Sequence, residues 1–175
     1  IPEPGKKGHD SWREDHWKSG GGSVWVTGSY DPDVNLTYWG IGNPGPDWNP
    51  FQRPGDNLFT DSVVALDADT GELKWHFQFT PNDAYDYDSV QVPVLADIQW
   101  QGKPRKVMMW ANRNGYFYVL DRATGEFLLG RPFGSGAPPD ELDDVHGGHD
   151  QATSEQHARR EALAAEGHGE ECGEH

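Results

Sequence analysis

A single cysteine, Cys172, stands in 175 residues, so the chain can close no internal disulfide and its cysteine usage is silent on compartment. No apolar run approaches the roughly 20 residues that a membrane-spanning helix needs, so no membrane span is expected. Positive charge is scarce. Fourteen Lys and Arg face 29 Asp and Glu, and the formal charge of -15 argues against nucleic acid as a partner. The chain starts Ile-Pro-Glu-Pro with neither an initiator Met nor a leader pattern, as a processed chain or an internal segment would. The sharpest absence is aromatic: all 8 Trp, 6 Tyr and 7 Phe lie at or before Phe133. The last 42 residues carry 11 Asp or Glu against two Arg. Such a stretch buries too little apolar surface to offset its ordering entropy, so residues 134–175 are expected to be a disordered acidic tail. Its one helical candidate is Ser154–Glu166, with a capping pair at Thr153 and Gln156 and a stop at Gly167. His146, His149, His157, His168, Cys172 and His175 offer transition-metal ligands there, but their spacing matches no closed zinc pattern.

What precedes the tail is aromatic, punctuated by Gly and Pro, and patterned as strands. Residues 1–22 read as an irregular loop anchored by Trp12 and Trp17, and Gly20-Gly21-Gly22 permits close backbone approach or positive φ. Strands are expected at Ser23–Tyr30, Leu36–Gly40, Phe59–Asp67, Glu72–Phe79, Val90–Trp100, Arg105–Asn112, Tyr116–Asp121 and Glu126–Arg131. Asn114-Gly115 between apolar runs is a strong hairpin signal. Residues 41–58 hold four Pro and three Gly, a long loop of the kind that is either functional or disordered. The run Leu66-Asp67-Ala68-Asp69-Thr70-Gly71-Glu72 recurs 54 residues later as Leu120-Asp121-Arg122-Ala123-Thr124-Gly125-Glu126. A motif recurring at this interval in all-β sequence indicates propeller blades of four antiparallel strands. Residues 23–133 supply about two blades. Two blades close no ring, so the fold expected is all-β, a partial β-propeller.

The most chemically loaded stretch is Thr80–Val92, TPNDAYDYDSVQV, with Asp83, Asp86 and Asp88 inside six residues. Tyr85, Tyr87, Val90 and Val92 favour extended chain, which would aim Asp86 and Asp88 the same way. Two carboxylates held together repel unless one is protonated or a cation lies between them. A hard cation with oxygen ligands is the usual resolution, and a solvated acidic loop is the plain alternative.

Four stretches together resemble one family: GGSVWVTGSYDPDVNLTYWGIGNPGP, RPGDNLFTDSVVALDADTGELKWHFQFTP, DYDSVQVPVLAD and WANRNGYFYVLDRATGEFL. They are similar to the pyrroloquinoline quinone (PQQ)-dependent, or quinoprotein, alcohol dehydrogenases of the methanol/ethanol type. The resemblance implies an eight-bladed propeller that holds PQQ and a metal ion on its axis. It implies oxidation of a primary alcohol to an aldehyde, with electrons passing to a c-type cytochrome in the periplasm.

Residue by residue, the resemblance gives Trp25 as the floor under the quinone and Ser23 as a hydroxyl for a PQQ carboxylate. Asn43 in IGNPGP matches an amide ligand of the metal, and Asp86 matches the catalytic base and a metal neighbour. Arg113 matches an arginine beside the quinone oxygens, catalytic and cofactor-binding. Asp88 stands where an aspartate marks members that use a lanthanide in place of Ca²⁺, since a trivalent ion benefits from one more anionic ligand. The family's glutamate ligand, its adjacent-cysteine disulfide and several cofactor contacts have no counterpart here, and the likeness ends at Phe133. The chain is therefore expected to be a fragment that is inactive alone. The competing readings are a non-catalytic propeller scaffold and a PQQ-dependent sugar dehydrogenase.

Overall fold

The computed structural model describes residues 1–133. The expectations for the tail, its helix and its histidines lie outside the described residues. Eight strands form two four-stranded antiparallel sheets, each in simple up-and-down order. The first sheet comprises β1 (Ser29–Asp31), β2 (Leu36–Gly40), β3 (Ser62–Asp67) and β4 (Leu73–Gln78). The second comprises β5 (Val94–Trp100), β6 (Lys103–Ala111), β7 (Tyr116–Asp121) and β8 (Phe127–Pro132). These are the two blades that the repeat implies. Several strands are shorter than their patterning suggests. Ser23–Gly28 is irregular, β3 starts at Ser62 rather than Phe59, and β5 starts at Val94 rather than Val90. Among the described residues no helix is long and apolar enough to cross a membrane.

Alternation builds the core. Along β2, Leu36, Tyr38 and Gly40 are buried while Thr37 and Trp39 are partly exposed. They meet Val63, Ala65, Trp75, Met108, Trp110 and Leu120 in one cluster drawn from both sheets. Phe79, just past β4, stacks on Trp110 at 5.0 Å and lies 4.9 Å from Tyr118. Rings at these separations add to the area they bury.

Connections alternate ends in an up-and-down sheet. One end carries tight turns. There Asp67 Oδ1 accepts from the N–H groups of Asp69 (3.1 Å) and Thr70 (3.0 Å) and from the Thr70 hydroxyl (3.0 Å). Asp121 Oδ1 repeats this with Ala123 and Thr124, at 2.9, 3.0 and 3.1 Å. Gly71 and Gly125 close the two turns at φ of 72° and 78°. The same end clips the blades together: Arg122, 5% exposed, pairs with Asp31 and donates to Ala96 O at 2.7 Å. The other end gathers residues 23–28, 41–61, 79–93 and 112–115, which hold every site candidate.

Candidate functional site

The β4–β5 connection does not run extended. Asp83 is fully buried, and its carboxylate accepts from the N–H groups of Tyr85 (3.0 Å, Oδ1) and Tyr87 (2.9 Å, Oδ2). The chain wraps around that side chain, so Asp86 and Asp88 take left-handed φ of 61° and 54°. The expectation that strand alternation aims both carboxylates one way is corrected here. A buried carboxylate taking two backbone donors overrides the extended propensity of Tyr85 and Tyr87, and the acids come together through a coiled loop.

Asp88 is the node of the arrangement. Its Oδ1 accepts from the Asn43 N–H at 3.2 Å, and its Oδ2 accepts from Arg113 Nη1 at 3.1 Å. The Asn43 amide nitrogen donates to Asp47 Oδ1 at 2.8 Å, which assigns its carbonyl oxygen as the free end. Trp25 is 56% exposed, and its indole edge lies beside Gly42. A Cβ at Gly42 would stand 2.6 Å from the Trp25 ring and 2.8 Å from Asp88 Oδ1, so only glycine admits both. Ser23 is exposed, and its carbonyl accepts from the Gly42 N–H at 2.9 Å. Asn43, Asp88 and Arg113 are thus hydrogen-bonded together, and the Trp25 ring and Asp88 Oδ1 flank Gly42. Asp86 is tied to them electrostatically: burial, Asp88 and Asp47 raise its carboxyl above the ordinary range, and Arg113 opposes them.

Three buried groups support this set, and the patterning in the sequence did not single them out. Arg53 ties the 41–61 and 79–93 connections together. Burial pushes its guanidinium down from its ordinary value, while Asp83, Asp61 and Asp47 oppose the shift. Asp61, fully buried, accepts on Oδ1 from the Ser89 N–H (3.2 Å) and hydroxyl (3.3 Å), while its Oδ2 has no partner. Burial first, then Asp83, pushes Asp61 up to about 8. Asn112 donates to the Ser89 hydroxyl at 2.8 Å, which holds the residue after Asp88 and the residue before Arg113 side by side. The Arg-Pro-Gly-Asp-Asn run at 53–57 was the visible signal for Arg53. Asp61 and Ser89 stand 28 residues apart and gave none.

Asn43, Asp86 and Asp88 offer oxygen donors of mixed charge, which suits a hard cation rather than a soft one. Among the described residues no three of His, Cys, Asp and Glu converge as a metal site, so the asparagine is needed to complete even a partial set. The exposed indole face of Trp25 suits a flat conjugated ligand.

The chain is 48% identical over 124 residues to the putative dehydrogenase XoxF of Paracoccus denitrificans, covering 71% of this chain and 20% of that protein. It is 46% identical over 123 residues to the lanthanide-dependent methanol dehydrogenase of Methylorubrum extorquens, covering 70% and 20%. The solved structure of a europium-containing methanol dehydrogenase superposes with a TM-score of 0.70 at 42% identity, over 75% of this chain and 23% of that one. The chain spans about a fifth of the length of these curated relatives. Residues 2–132 match the PQQ family described as the glucose/ethanol/alcohol dehydrogenase β-propeller domain, and the chain belongs to that family.

Proposed function

We propose that residues 1–133 are the metal- and quinone-facing blades of a PQQ-dependent alcohol dehydrogenase. The observation that carries this reading is Asp88, whose two oxygens join the Asn43 and Arg113 arms beside Asp86. A scaffold that binds proteins through its blades has no use for this gathering of charge behind an open indole.

Asn43, Asp86 and Asp88 would hold the metal, a lanthanide in preference to Ca²⁺, because Asp88 adds an anionic ligand. A carboxylate has about four lone-pair sites, so Asp88 can keep Asn43 and Arg113 and still face a cation. Trp25, Ser23 and Arg113 would hold PQQ. When bound, the quinone supplies the two-electron acceptor and the metal supplies Lewis acidity. Asp86 takes the hydroxyl proton of a primary alcohol, as a carboxylate held within reach of the reacting hydroxyl can. Arg113, paired with Asp88, is a fixed positive charge that would favour negative charge developing on the cofactor side. The product is an aldehyde, the electron acceptor a c-type cytochrome, and the compartment the periplasm, each inferred from family membership.

A chimaera tests this. Residues 2–132 replace the matched segment of the lanthanide-dependent methanol dehydrogenase, and dye-linked alcohol oxidation is measured with PQQ and La³⁺ or Ca²⁺. Asp86→Ala should cut kcat by about 10²–10⁴-fold with either metal, the usual contribution of a general base. Unchanged turnover would remove Asp86 from the chemistry.

A further inference from the structure

Arg53 is 1% exposed and directs its guanidinium across two connections. Its Nε donates to Pro46 O at 3.0 Å, and Nη2 donates to Asp47 O at 3.1 Å and to Asp83 O. Its Nη1 donates to Asn57 Oδ1 at 3.0 Å and to Asn82 Oδ1 at 2.9 Å. An arginine carries five N–H donors, so this one is fully spent, and every acceptor is a neutral oxygen. A buried guanidinium without a bonded carboxylate is costly, and a well-packed apolar side chain would stabilise as well or better. The apolar core lies between the sheets, away from these contacts. What the arginine supplies is direction.

Those directions converge on the site from both sides. The Asp47 whose carbonyl Arg53 holds is the residue whose carboxylate takes the Asn43 amide at 2.8 Å. The Asp83 whose carbonyl it holds is the residue whose carboxylate takes the N–H groups of Tyr85 and Tyr87, the two neighbours of Asp86. One guanidinium therefore bonds the backbone of the residue that anchors each metal-facing arm.

We propose that Arg53 is a positioning residue that sets the gap between Asn43 and Asp86, and through that gap the affinity of the site for a multivalent cation. The inference rests on the metal reading above.

The test uses the full 175-residue chain, with Tb³⁺ as the probe and its emission sensitised through Trp25. Residues 134–175 contain no Trp, Tyr or Phe, so ions gathered there find no sensitiser of their own in that stretch. Arg53→Lys keeps the charge and loses the fork; Arg53→Met loses both. Each should weaken Tb³⁺ binding by about 10–100-fold, as loss of an outer partner of a metal site does. Amide exchange at Tyr85 and Tyr87 should quicken by about tenfold while β6 and β7 keep their protection. Asn82→Ala, which severs one bond to the second arm, should weaken binding by about threefold and add nothing to Arg53→Met. Folded Arg53 variants that bind Tb³⁺ as the unsubstituted chain does overturn the proposal. If β6 and β7 lose protection in the Arg53 variants, Asn82→Ala decides, and unchanged binding there overturns it. An unsubstituted chain without sensitised emission, or emission undiminished in an Asp86→Asn/Asp88→Asn double variant, overturns the metal reading and this inference together.

Discussion

The two blades share a plan and differ at one connection. In the second blade β6 passes to β7 through residues 112–115, a tight turn with Gly115 at φ 90°. In the first blade the equivalent passage from β2 to β3 takes residues 41–61. The short connection delivers Arg113 and the Asn112 that braces it against Ser89. The long one delivers Asn43, Asp47, Arg53 and Asp61, and it needs a buried arginine to hold it in place. At the opposite end the blades are near copies, down to the three bonds on Asp67 and Asp121. Their surroundings differ even there. Trp75 of the first blade lies over Gly125 of the second, where an added Cβ would stand 2.7 Å from the ring. Gly71, the matching residue of the first blade, has nothing within 4 Å. One end of each sheet repeats the same turn and stacks the blades, and the other is where the connections diverge.

The Gly pair gives the largest contrast. Gly125→Ala should destabilise by about 3 kcal/mol, combining the left-handed backbone penalty with overpacking against Trp75. Gly71→Ala meets open space and should cost about 1 kcal/mol from the backbone alone. Urea melts of the two variants read the difference directly. Equal losses would mean that Trp75 does not pack on Gly125.

Asp88→Ala separates the metals. In the chimaera, La³⁺ affinity should fall by about 10–100-fold while Ca²⁺, with its flexible coordination, is affected less. Reconstitution with each ion, followed by activity and by ion content after dialysis, measures it. Intact La³⁺ retention would make Asp88 a positioning group for Asn43 and Arg113 only.

Asp61 gives an effect that is spread over pH. Its folded-state value of about 8 lies far above that of an unfolded aspartate, so between these limits the folded chain holds a proton that the unfolded chain lacks. Stability should therefore fall as pH rises from about 4 towards 8, by at most about 1.4 kcal/mol per pH unit. Asp61→Asn should flatten that slope. Stability that rises with pH across the window in the unsubstituted chain, with no change in slope on substitution, would place the proton elsewhere.

Local chemistry was legible in the sequence. The repeated Asp-x-x-Thr-Gly turn announces itself because all three bonds on Asp67 and Asp121 reach at most three residues along the chain. The resemblance carried Trp25, Ser23, Asn43, Asp86, Asp88 and Arg113, and in the structure Asp88 bonds Asn43 and Arg113 while Gly42 lies between Asp88 and the Trp25 ring. The shape of the acidic loop was not legible. Tyr and Val propensities speak for extended chain, and only the burial of Asp83 makes its carboxylate a better partner for Tyr85 and Tyr87 than a neighbouring strand. The turn-rich run at 53–57 marks where Arg53 sits but not what it holds: its decisive acceptors, Asn82 and Asp83, lie 29 and 30 residues away. No period or spacing marks a bond of that range.

The central claim is that Asn43, Asp86 and Asp88 face one cation in front of Trp25. The most direct measurement is anomalous diffraction from crystals of the chimaera grown with Tb³⁺. The account predicts one strong peak within coordination distance of Asn43 Oδ1 and of carboxylate oxygens from both Asp86 and Asp88. A peak that touches neither aspartate, with the three side chains ordered and facing solvent, would contradict it.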